Sequence, residues 1–168
     1  VVVLAASTPS DCFNFAFQAA KIAVEHMTPV LLLTDSYLAN SSEPWKIIRM
    51  SELPDIKPPY ADPSKQPYQP YERDCANFAR SWAIPGTPGL EHRIGGLEKT
   101  FKGTVSYVPE NHELMVKLRE EKVQRVIEKV PDLKVFGKES GDLLVVGWGS
   151  SYGHLITSVR ELQADGQS

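Results

Sequence analysis

Cysteine is scarce in this sequence of 168 residues, which contains Cys12 and Cys75 and no other thiols. The two have no metal-ligand spacing and form no recognisable disulfide framework, so a zinc module or a disulfide scaffold is excluded. We therefore expect a reducing, cytoplasmic location. The longest apolar runs have about six residues, far fewer than the roughly 20 that span a bilayer, so no membrane segment is predicted.

An excess of positive charge is also missing. The chain has 18 Lys and Arg residues against 21 Asp and Glu residues, for a net charge of −3. Without a basic patch there is no indication of nucleic-acid binding. Charges alternate in sign from Lys117 to Lys129, a pattern typical of a solvent-exposed helix face.

The first 35 residues have the pattern of a β-α-β unit. Residues 1–6 and 30–33 are continuous apolar runs, which predict buried strands of a parallel sheet with a right-handed crossover. Between them the sequence predicts a helix from Pro9 to about Met27, which Thr8 can cap. Because apolar residues occupy two faces of this helix, we expect little of it to be exposed.

Ligands in open parallel sheets bind beyond the carboxyl ends of the strands, where Asp35 and Tyr37 lie. These two residues are therefore candidates for a cofactor-binding or interface site, although an Asp at this position also commonly caps the following turn. Cys12, in the first helical turn, is either a reactive thiol or a small buried hydrophobe. His26 and His112 flank predicted helices without evident partners.

Proline is concentrated in the middle of the chain, where nine of the 13 prolines lie at positions 44–88. Such spacing disfavours long helices. The prolines are interleaved with aromatic residues, which are rare in disordered linkers. We expect an extended arm packed on other surfaces; a flexible linker is the alternative.

A turn cluster at 84–90 leads into Glu91, His92 and Arg93, which are the candidate catalytic residues. A histidine beside a carboxylate and a guanidinium can bind an anionic group or move a proton. The alternative is that these side chains anchor the loop. No metal-binding spacing occurs.

The last third of the sequence predicts an amphipathic helix at 109–130, a strand at 143–147 and a helix at 154–162. Gly149 and Ser150 lie in the turn before the last helix and are candidates for cofactor binding or an interface. The glycine spacing Gly147-x-Gly149-x-x-x-Gly153 resembles a dinucleotide-binding turn but places its third glycine one residue late. A nicotinamide site and a plain backbone turn both remain open.

Three longer motifs resemble one known family. They are the segments 5–13 with 29–40, then Ile84 to Glu98, and finally Asp142 to Ser150. Together they resemble the 2-oxoacid:ferredoxin (acceptor) oxidoreductases, most of all the α subunit that acts on 2-oxoglutarate. The resemblance covers nearly the whole chain, and the middle motif is the most specific part.

The resemblance implies an α/β fold. Residues 1–40 would be the end of a thiamine-diphosphate-type pyrimidine-binding domain, residues 41–108 a Pro-rich connector and residues 109–140 an amphipathic helix with a linker. Residues 141–168 would be the first βα unit of a transketolase-C-terminal-like domain. The upstream substrate segment and the cluster cysteines of the family are missing, so we expect a fragment of a larger subunit, inactive alone.

The implied activity converts 2-oxoglutarate, coenzyme A and oxidised ferredoxin into succinyl-CoA, CO₂ and reduced ferredoxin. It requires thiamine diphosphate, Mg²⁺ and, on a β-type partner subunit, an iron–sulfur cluster; we expect none of these on this chain alone. Exposed sheet edges should favour self-association. Pyruvate or a branched-chain 2-oxoacid is the alternative substrate, and a non-catalytic interaction module is the alternative of another class.

Overall fold

The computed structural model describes residues 1–131 and 133–167. Its strands are β1 (Val2–Ala5) and β2 (Val30–Leu33), and its helices are α1 (Pro9–Glu25), α2 (Ser36–Ala39), α3 (Pro109–Gln124) and α4 (Tyr152–Ala164). Short 3₁₀ turns lie at Met50–Glu52, Arg125–Lys129 and Gly149–Ser151. In the described residues no helix is both long and apolar enough to cross a membrane.

β1 and β2 form a two-stranded parallel sheet, as predicted from the two apolar runs. Backbone hydrogen bonds from Val2 N to Pro29 O (3.4 Å) and from Ala6 N to Leu33 O (3.1 Å) keep a constant register along the pair. The β-α-β prediction is therefore confirmed. It places the carboxyl ends of both strands at one edge of the sheet.

The start of α1 is built as the sequence predicts. The Thr8 hydroxyl accepts from the Asp11 amide at 3.3 Å, and the Asp11 carboxylate accepts from the Thr8 amide at 3.2 Å. Asp11 also accepts from the Ser7 amide and hydroxyl. These bonds satisfy amide groups that have no partner inside a helix.

Two expectations for α1 are corrected. The helix ends at Glu25 rather than Met27, because Met27 takes a positive φ of 43° that no α-helix contains. Its apolar faces are less covered than predicted: Phe13 is 41% exposed, and Ile22 is the fully buried side chain of this helix. A sheet of two strands offers too narrow a surface to cover two helix faces.

The described residues form two compact units that interleave along the sequence. The first contains residues 1–2, 20–29 and 54–130, and the second contains residues 3–19, 30–53 and the stretch from Pro131 onward. The predicted sequential boundaries after residues 40, 108 and 140 remain a prediction.

From Pro54 onward the Pro-rich segment belongs to the first unit and is held in place there. The Trp82 indole donates to the Val24 carbonyl at 2.8 Å, and Lys21 donates to the Asp55 carbonyl at 2.7 Å. The Lys57 amide donates to the Glu25 carboxylate at 3.0 Å. The segment is thus packed against the end of α1, as an ordered arm rather than a flexible linker.

α3 differs from the amphipathic helix predicted over 109–130. The α-helix ends at Gln124 and continues as the 3₁₀ turn Arg125–Lys129. Met115 and Val126 are buried, but Ile127 is 72% exposed, so the apolar residues do not share one covered face. The expected pair of Glu121 and Arg125 forms at 2.6 Å.

Lys122 departs from the solvated face predicted for the charge run. Its side chain is 8% exposed and donates to the Met27 carbonyl at 2.7 Å. Burial, followed by the charges of Arg73, Arg80 and Arg119, lowers the pKa of Lys122 to about 8. Alternating charges therefore do not identify which cation a neighbouring segment will cover.

The strand predicted at 143–147 is not formed in the described chain, and the sheet contains β1 and β2. The side chains of Leu143, Leu144 and Val146 are 74%, 77% and 83% exposed. A β-strand is defined by its backbone hydrogen bonds to a neighbouring strand. An apolar run without such a neighbour is therefore not a strand. The closing helix is longer than predicted, beginning at Tyr152 and ending at Ala164.

We predict that the wild type becomes more stable as the pH rises into the alkaline range and that Lys122→Met removes this increase. The pKa of Lys122 is about 8 in the folded chain against an ordinary 10.5. Between these values the unfolded chain binds more protons, so the wild-type free energy of unfolding increases with pH. Urea unfolding followed from pH 7 to pH 10.5 should show this increase in the wild type and a flatter profile in the variant.

Lys117→Met is the matched control, because Lys117 lies on the same helix and is exposed. The free energy of unfolding of this variant should change with pH as that of the wild type does. Parallel profiles for Lys122→Met and the wild type would show that Lys122 is not held in a desolvated position.

Candidate functional site

Asp35, at the carboxyl end of β2, caps α2. Its Oδ1 accepts from the Leu38 amide at 3.0 Å. A hydrogen bond from the Ser150 hydroxyl, and then the bond from Leu38, hold the pKa of the Asp35 carboxyl below its usual value. Asp35 therefore caps the turn, as one of the two alternatives predicted, and it also interacts with Ser150 in the Gly149–Ser150 turn, which the sequence did not indicate; its cofactor-binding or interface role stays a prediction.

Gly149 brings this turn close to the end of β1. Its φ is +59°, and a Cβ at this position would lie 3.6 Å from the Ala6 carbonyl oxygen. At Gly147 a Cβ would collide with the Leu155 side chain of α4. The two glycines thus permit a left-handed backbone and a close approach to a helix, which is the role predicted for a plain turn.

Tyr37 completes the group. Its ring lies 5.3 Å from the His154 ring, with an angle of 57° between their planes, and its side chain is 57% exposed. The structure therefore assembles Asp35, Tyr37, Gly149 and Ser150, four residues predicted from two distant sequence segments. We call these four residues the strand-end cluster.

The predicted triplet Glu91, His92 and Arg93 belongs to the other compact unit. His92 Nδ1 lies 2.9 Å from the Leu90 carbonyl oxygen, and the His92 ring meets the Tyr68 ring edge-on at 5.5 Å. A carbonyl oxygen only accepts, so this contact requires the proton on Nδ1 and leaves Nε2 of a neutral ring as an acceptor. Glu91 and Arg93 are exposed.

The loop before the triplet is fixed by its turns, as predicted. Gly86 and Gly89 have positive φ angles of 86° and 81°, and Leu90, which follows them, is 4% exposed. The Gln66 amide donates to the Gly89 carbonyl at 3.2 Å. The backbone that carries His92 is therefore anchored on both its local turns and a distant side chain.

The remaining histidines and Cys12 have different surroundings. His112 was expected to lack a partner, and this is wrong: its Nδ1 lies 3.1 Å from Glu98 Oε2. His26 is 2% exposed, and burial lowers its pKa, which keeps the ring neutral. Cys12 is half-buried, with Sγ 3.8 Å from the Thr8 carbonyl, and fits the small-hydrophobe interpretation.

Sequence analysis missed a concentration of cationic side chains in the first unit. Burial, followed by the charges of Arg73, Arg80 and Arg119, lowers the pKa of Lys122, although these residues come from two segments. No spacing rule connects these positions. The only local signal is that Arg119 and Lys122 are three residues apart on α3, where helical neighbours meet.

Residues 1–108 match the family model "Pyruvate flavodoxin/ferredoxin oxidoreductase, thiamine diP-bdg". The chain belongs to this family. The match ends where α3 begins, and it includes Asp35, Tyr37 and the triplet 91–93 but not Gly149 or Ser150.

Relatives of the family extend over the whole chain. It is 51% identical to 2-oxoglutarate oxidoreductase subunit KorA of Mycobacterium tuberculosis, over 99% of this chain and 25% of that protein. It is 25% identical to 2-oxoglutarate synthase subunit KorA of Methanothermobacter marburgensis, over 99% of this chain and 44% of that protein.

A solved structure shares the fold. The 2-oxoglutarate:ferredoxin oxidoreductase from Magnetococcus marinus, with 2-oxoglutarate, coenzyme A and succinyl-CoA bound, matches with a TM-score of 0.89 and 29% identity. The match covers 99% of this chain and 29% of that one. The chain thus spans between a quarter and somewhat under half of the length of these relatives.

Members of this family bind thiamine diphosphate, but the described residues do not fit a complete site for it. The carboxylates at the strand ends, Asp11 and Asp35, are occupied by amide and hydroxyl donors. No group of three or more His, Cys, Asp or Glu residues within 1–131 and 133–167 converges to hold a metal ion. The strand-end cluster can line one side of a ligand-binding site, and we assign it no chemical step on the cofactor.

We predict that Asp35→Ala loosens both partners of this carboxylate. The variant loses the cap of α2 and the bond from Ser150, so amide exchange should accelerate in residues 36–40 and 149–152. Hydrogen–deuterium exchange with peptide resolution measures both segments. Asp35→Asn, which keeps a side-chain acceptor, should retain most of the protection.

Asp62→Ala is the matched control. Asp62 similarly accepts from the amide and hydroxyl of one serine, Ser64, but lies in the first unit. The Asp62→Ala variant should leave amide exchange at residues 149–152 unchanged. Unaltered exchange at 149–152 in Asp35→Ala would contradict the coupling of Asp35 to Ser150.

Proposed function

We propose that this chain is part of the α subunit of a thiamine-diphosphate-dependent 2-oxoglutarate:ferredoxin oxidoreductase. Such an enzyme converts 2-oxoglutarate, coenzyme A and oxidised ferredoxin into succinyl-CoA, CO₂ and reduced ferredoxin. The single observation that carries this proposal is 51% identity with a 2-oxoglutarate oxidoreductase subunit along 99% of the chain. The shared fold of a 2-oxoglutarate enzyme supports it independently.

The strand-end cluster is proposed to form a cofactor-facing or subunit-facing wall. It lies beyond the carboxyl ends of β1 and β2, where parallel sheets bind ligands. Tyr37 is exposed there, and Ser150 in the neighbouring turn lowers the pKa of Asp35, which caps α2. Rigid backbone with an exposed aromatic ring suits an interface to a cofactor or a partner better than it suits acid–base chemistry.

His92, Glu91 and Arg93 are proposed to line a substrate pocket or a subunit interface. With Nδ1 directed to Leu90, His92 presents Nε2 as a hydrogen-bond acceptor in a fixed orientation. Arg93 is exposed, and its planar guanidinium group matches the geometry of a carboxylate. 2-Oxoglutarate has a second carboxylate that pyruvate lacks, and desolvating that group requires a cation or hydrogen-bond donors.

The complete enzyme is proposed to contain a β-type subunit that supplies the diphosphate–Mg²⁺ site and the iron–sulfur cluster. Thiamine diphosphate would then lie between subunits, with the protein orienting its reactive part and excluding water. Neither this cofactor nor Mg²⁺ is expected to bind the chain alone. We place the enzyme in the cytoplasm, where ferredoxin and coenzyme A are available.

The test is an assay of the purified α–β complex that contains this chain. We expect ferredoxin reduction that requires coenzyme A, with kcat/KM for 2-oxoglutarate at least about tenfold above that for pyruvate or a branched-chain 2-oxoacid, which is about 1.4 kcal/mol of discrimination. His92→Asn keeps a donor toward Leu90 but removes Nε2, and should lower kcat/KM. His92→Gln places an amide nearer Nε2 and should retain more activity.

The outcomes separate the alternatives. A preference for pyruvate or a branched-chain acid would keep the family and overturn the substrate. A stable complex without turnover of any 2-oxoacid would favour the interaction module. Calorimetric titration of thiamine diphosphate with Mg²⁺ into the chain alone is the accompanying control, and micromolar binding there would contradict the shared site.

A further inference from the structure

Lys99, in the first compact unit, is a buried cation whose partners all belong to the protein. Its side chain is 1% exposed, and lysine is almost never fully buried unless its charged group has partners. The Lys99 ammonium donates to the Gly95 carbonyl at 2.7 Å and to the Leu97 carbonyl at 2.6 Å. The centre of the Tyr71 ring lies 5.7 Å from the same nitrogen. One buried side chain thus binds two carbonyl groups of the loop that precedes it.

The backbone of Lys99 is itself held at several points. Lys99 forms an antiparallel bridge with Val105, and the Ser106 amide donates to the Glu98 carbonyl at 3.0 Å. From α3, the Asn111 side-chain amide donates to the Lys99 carbonyl at 3.3 Å. Lys99 is therefore a fixed point, from which the ammonium reaches back to residues 95 and 97.

The loop that Lys99 holds has few other attachments. Residues 93–97 are all exposed, and Ile94 is 83% exposed. Within the described chain, the hydrogen bonds to backbone groups of residues 93–97 come from Lys99. Exposed backbone with few hydrogen bonds opens locally at little cost in free energy. The order of this loop therefore depends on Lys99.

Arg93 lies between this attachment and the one before the triplet. Upstream, Leu90 is 4% exposed, and His92 Nδ1 lies 2.9 Å from its carbonyl oxygen. Downstream, Gly95 follows Arg93 by two residues and accepts from Lys99. A guanidinium group pairs with both oxygens of a carboxylate in one plane, so the position of the arginine backbone decides whether the pair forms well.

We propose that Lys99 is a positioning residue: by binding the Gly95 and Leu97 carbonyls, it fixes the backbone from which Arg93 reaches the second carboxylate of 2-oxoglutarate. This inference rests on the proposed function, which assigns Arg93 to a substrate pocket or an interface. It selects the pocket and the substrate carboxylate. Pyruvate lacks that carboxylate, so its turnover should depend much less on Lys99.

The first experiment is limited tryptic digestion of the folded 168-residue chain, with cleavage after Arg93 quantified by mass spectrometry. Proteolysis of a loop requires local opening, so wild-type cleavage after Arg93 should be at least about fivefold slower than after Lys134. Lys134 is also exposed, lies outside helices and strands and is likewise followed by a β-branched residue. Lys99→Met, which removes the donor, should accelerate cleavage after Arg93 at least about fivefold. Lys102→Met, which removes an exposed lysine three positions away, should leave it unchanged.

The second experiment measures kcat/KM of the α–β complex for 2-oxoglutarate and for pyruvate. Lys99→Met should lower the value for 2-oxoglutarate at least about fivefold and change the value for pyruvate less than about twofold. Lys99→Arg keeps the charge and the donors, and should retain more of the preference for 2-oxoglutarate. Damage to the fold as a whole would instead lower both values equally.

Equal losses for the two substrates, or wild-type cleavage after Arg93 in Lys99→Met, would overturn the inference. If Lys99→Met does not fold, the wild-type digestion decides: cleavage after Arg93 as fast as after Lys134 would show that the loop is not held. A wild-type complex without turnover of 2-oxoglutarate would refute the proposed function instead, and the digestion would still decide whether Lys99 holds the loop.

Discussion

The first compact unit depends on how the carbonyl groups at the end of α1 are satisfied. The last turn of any helix leaves carbonyls without intrahelical partners. Here the Trp82 indole takes the Val24 carbonyl, and the Lys122 ammonium takes that of Met27. One donor comes from the Pro-rich segment and the other from α3, so the termination of one helix fixes two segments that are remote in sequence.

This arrangement explains why a Pro-rich segment is ordered. Prolines lower the conformational freedom of the unfolded segment, so less entropy is lost when it is fixed. The side chains of Trp82 and Lys21 then fix the position of the segment, since each donates a hydrogen bond to one particular carbonyl. His26 lies buried at the same helix end, and burial lowers its pKa; the charge of Glu25 opposes this effect, and those of Lys129 and Lys122 add to it.

Local rules predicted the features whose causes are local. The Thr8–Asp11 cap, the Asp35 cap and the turns at Gly86 and Gly89 each depend on residues a few positions apart. The parallel pair of strands followed from apolar runs and a helix between them. Resemblance to the family added the function, which spacing and composition alone left open.

The features that sequence analysis missed are the ones that require distant neighbours. The burial of Lys122 depends on the end of α1, and the pairing of His112 depends on Glu98. The apolar run at 143–147 satisfies every local requirement of a strand, but a ladder needs a partner strand beside it. The Asp35–Ser150 contact joins two predicted candidates whose proximity no local pattern indicates.

Net charge illustrates the same distinction for electrostatics. A total of −3 gives no reason to expect nucleic-acid binding, yet it averages over positions and says nothing about where like charges lie near one another. In the first unit the charges of Arg73, Arg80 and Arg119 lower the pKa of Lys122, after burial, although the net charge of the chain is negative. Bringing like charges together costs free energy unless an opposite charge offsets it. At Lys122 this cost appears as a pKa lowered to about 8, so the buried ammonium gives up its proton at a lower pH than an exposed lysine does.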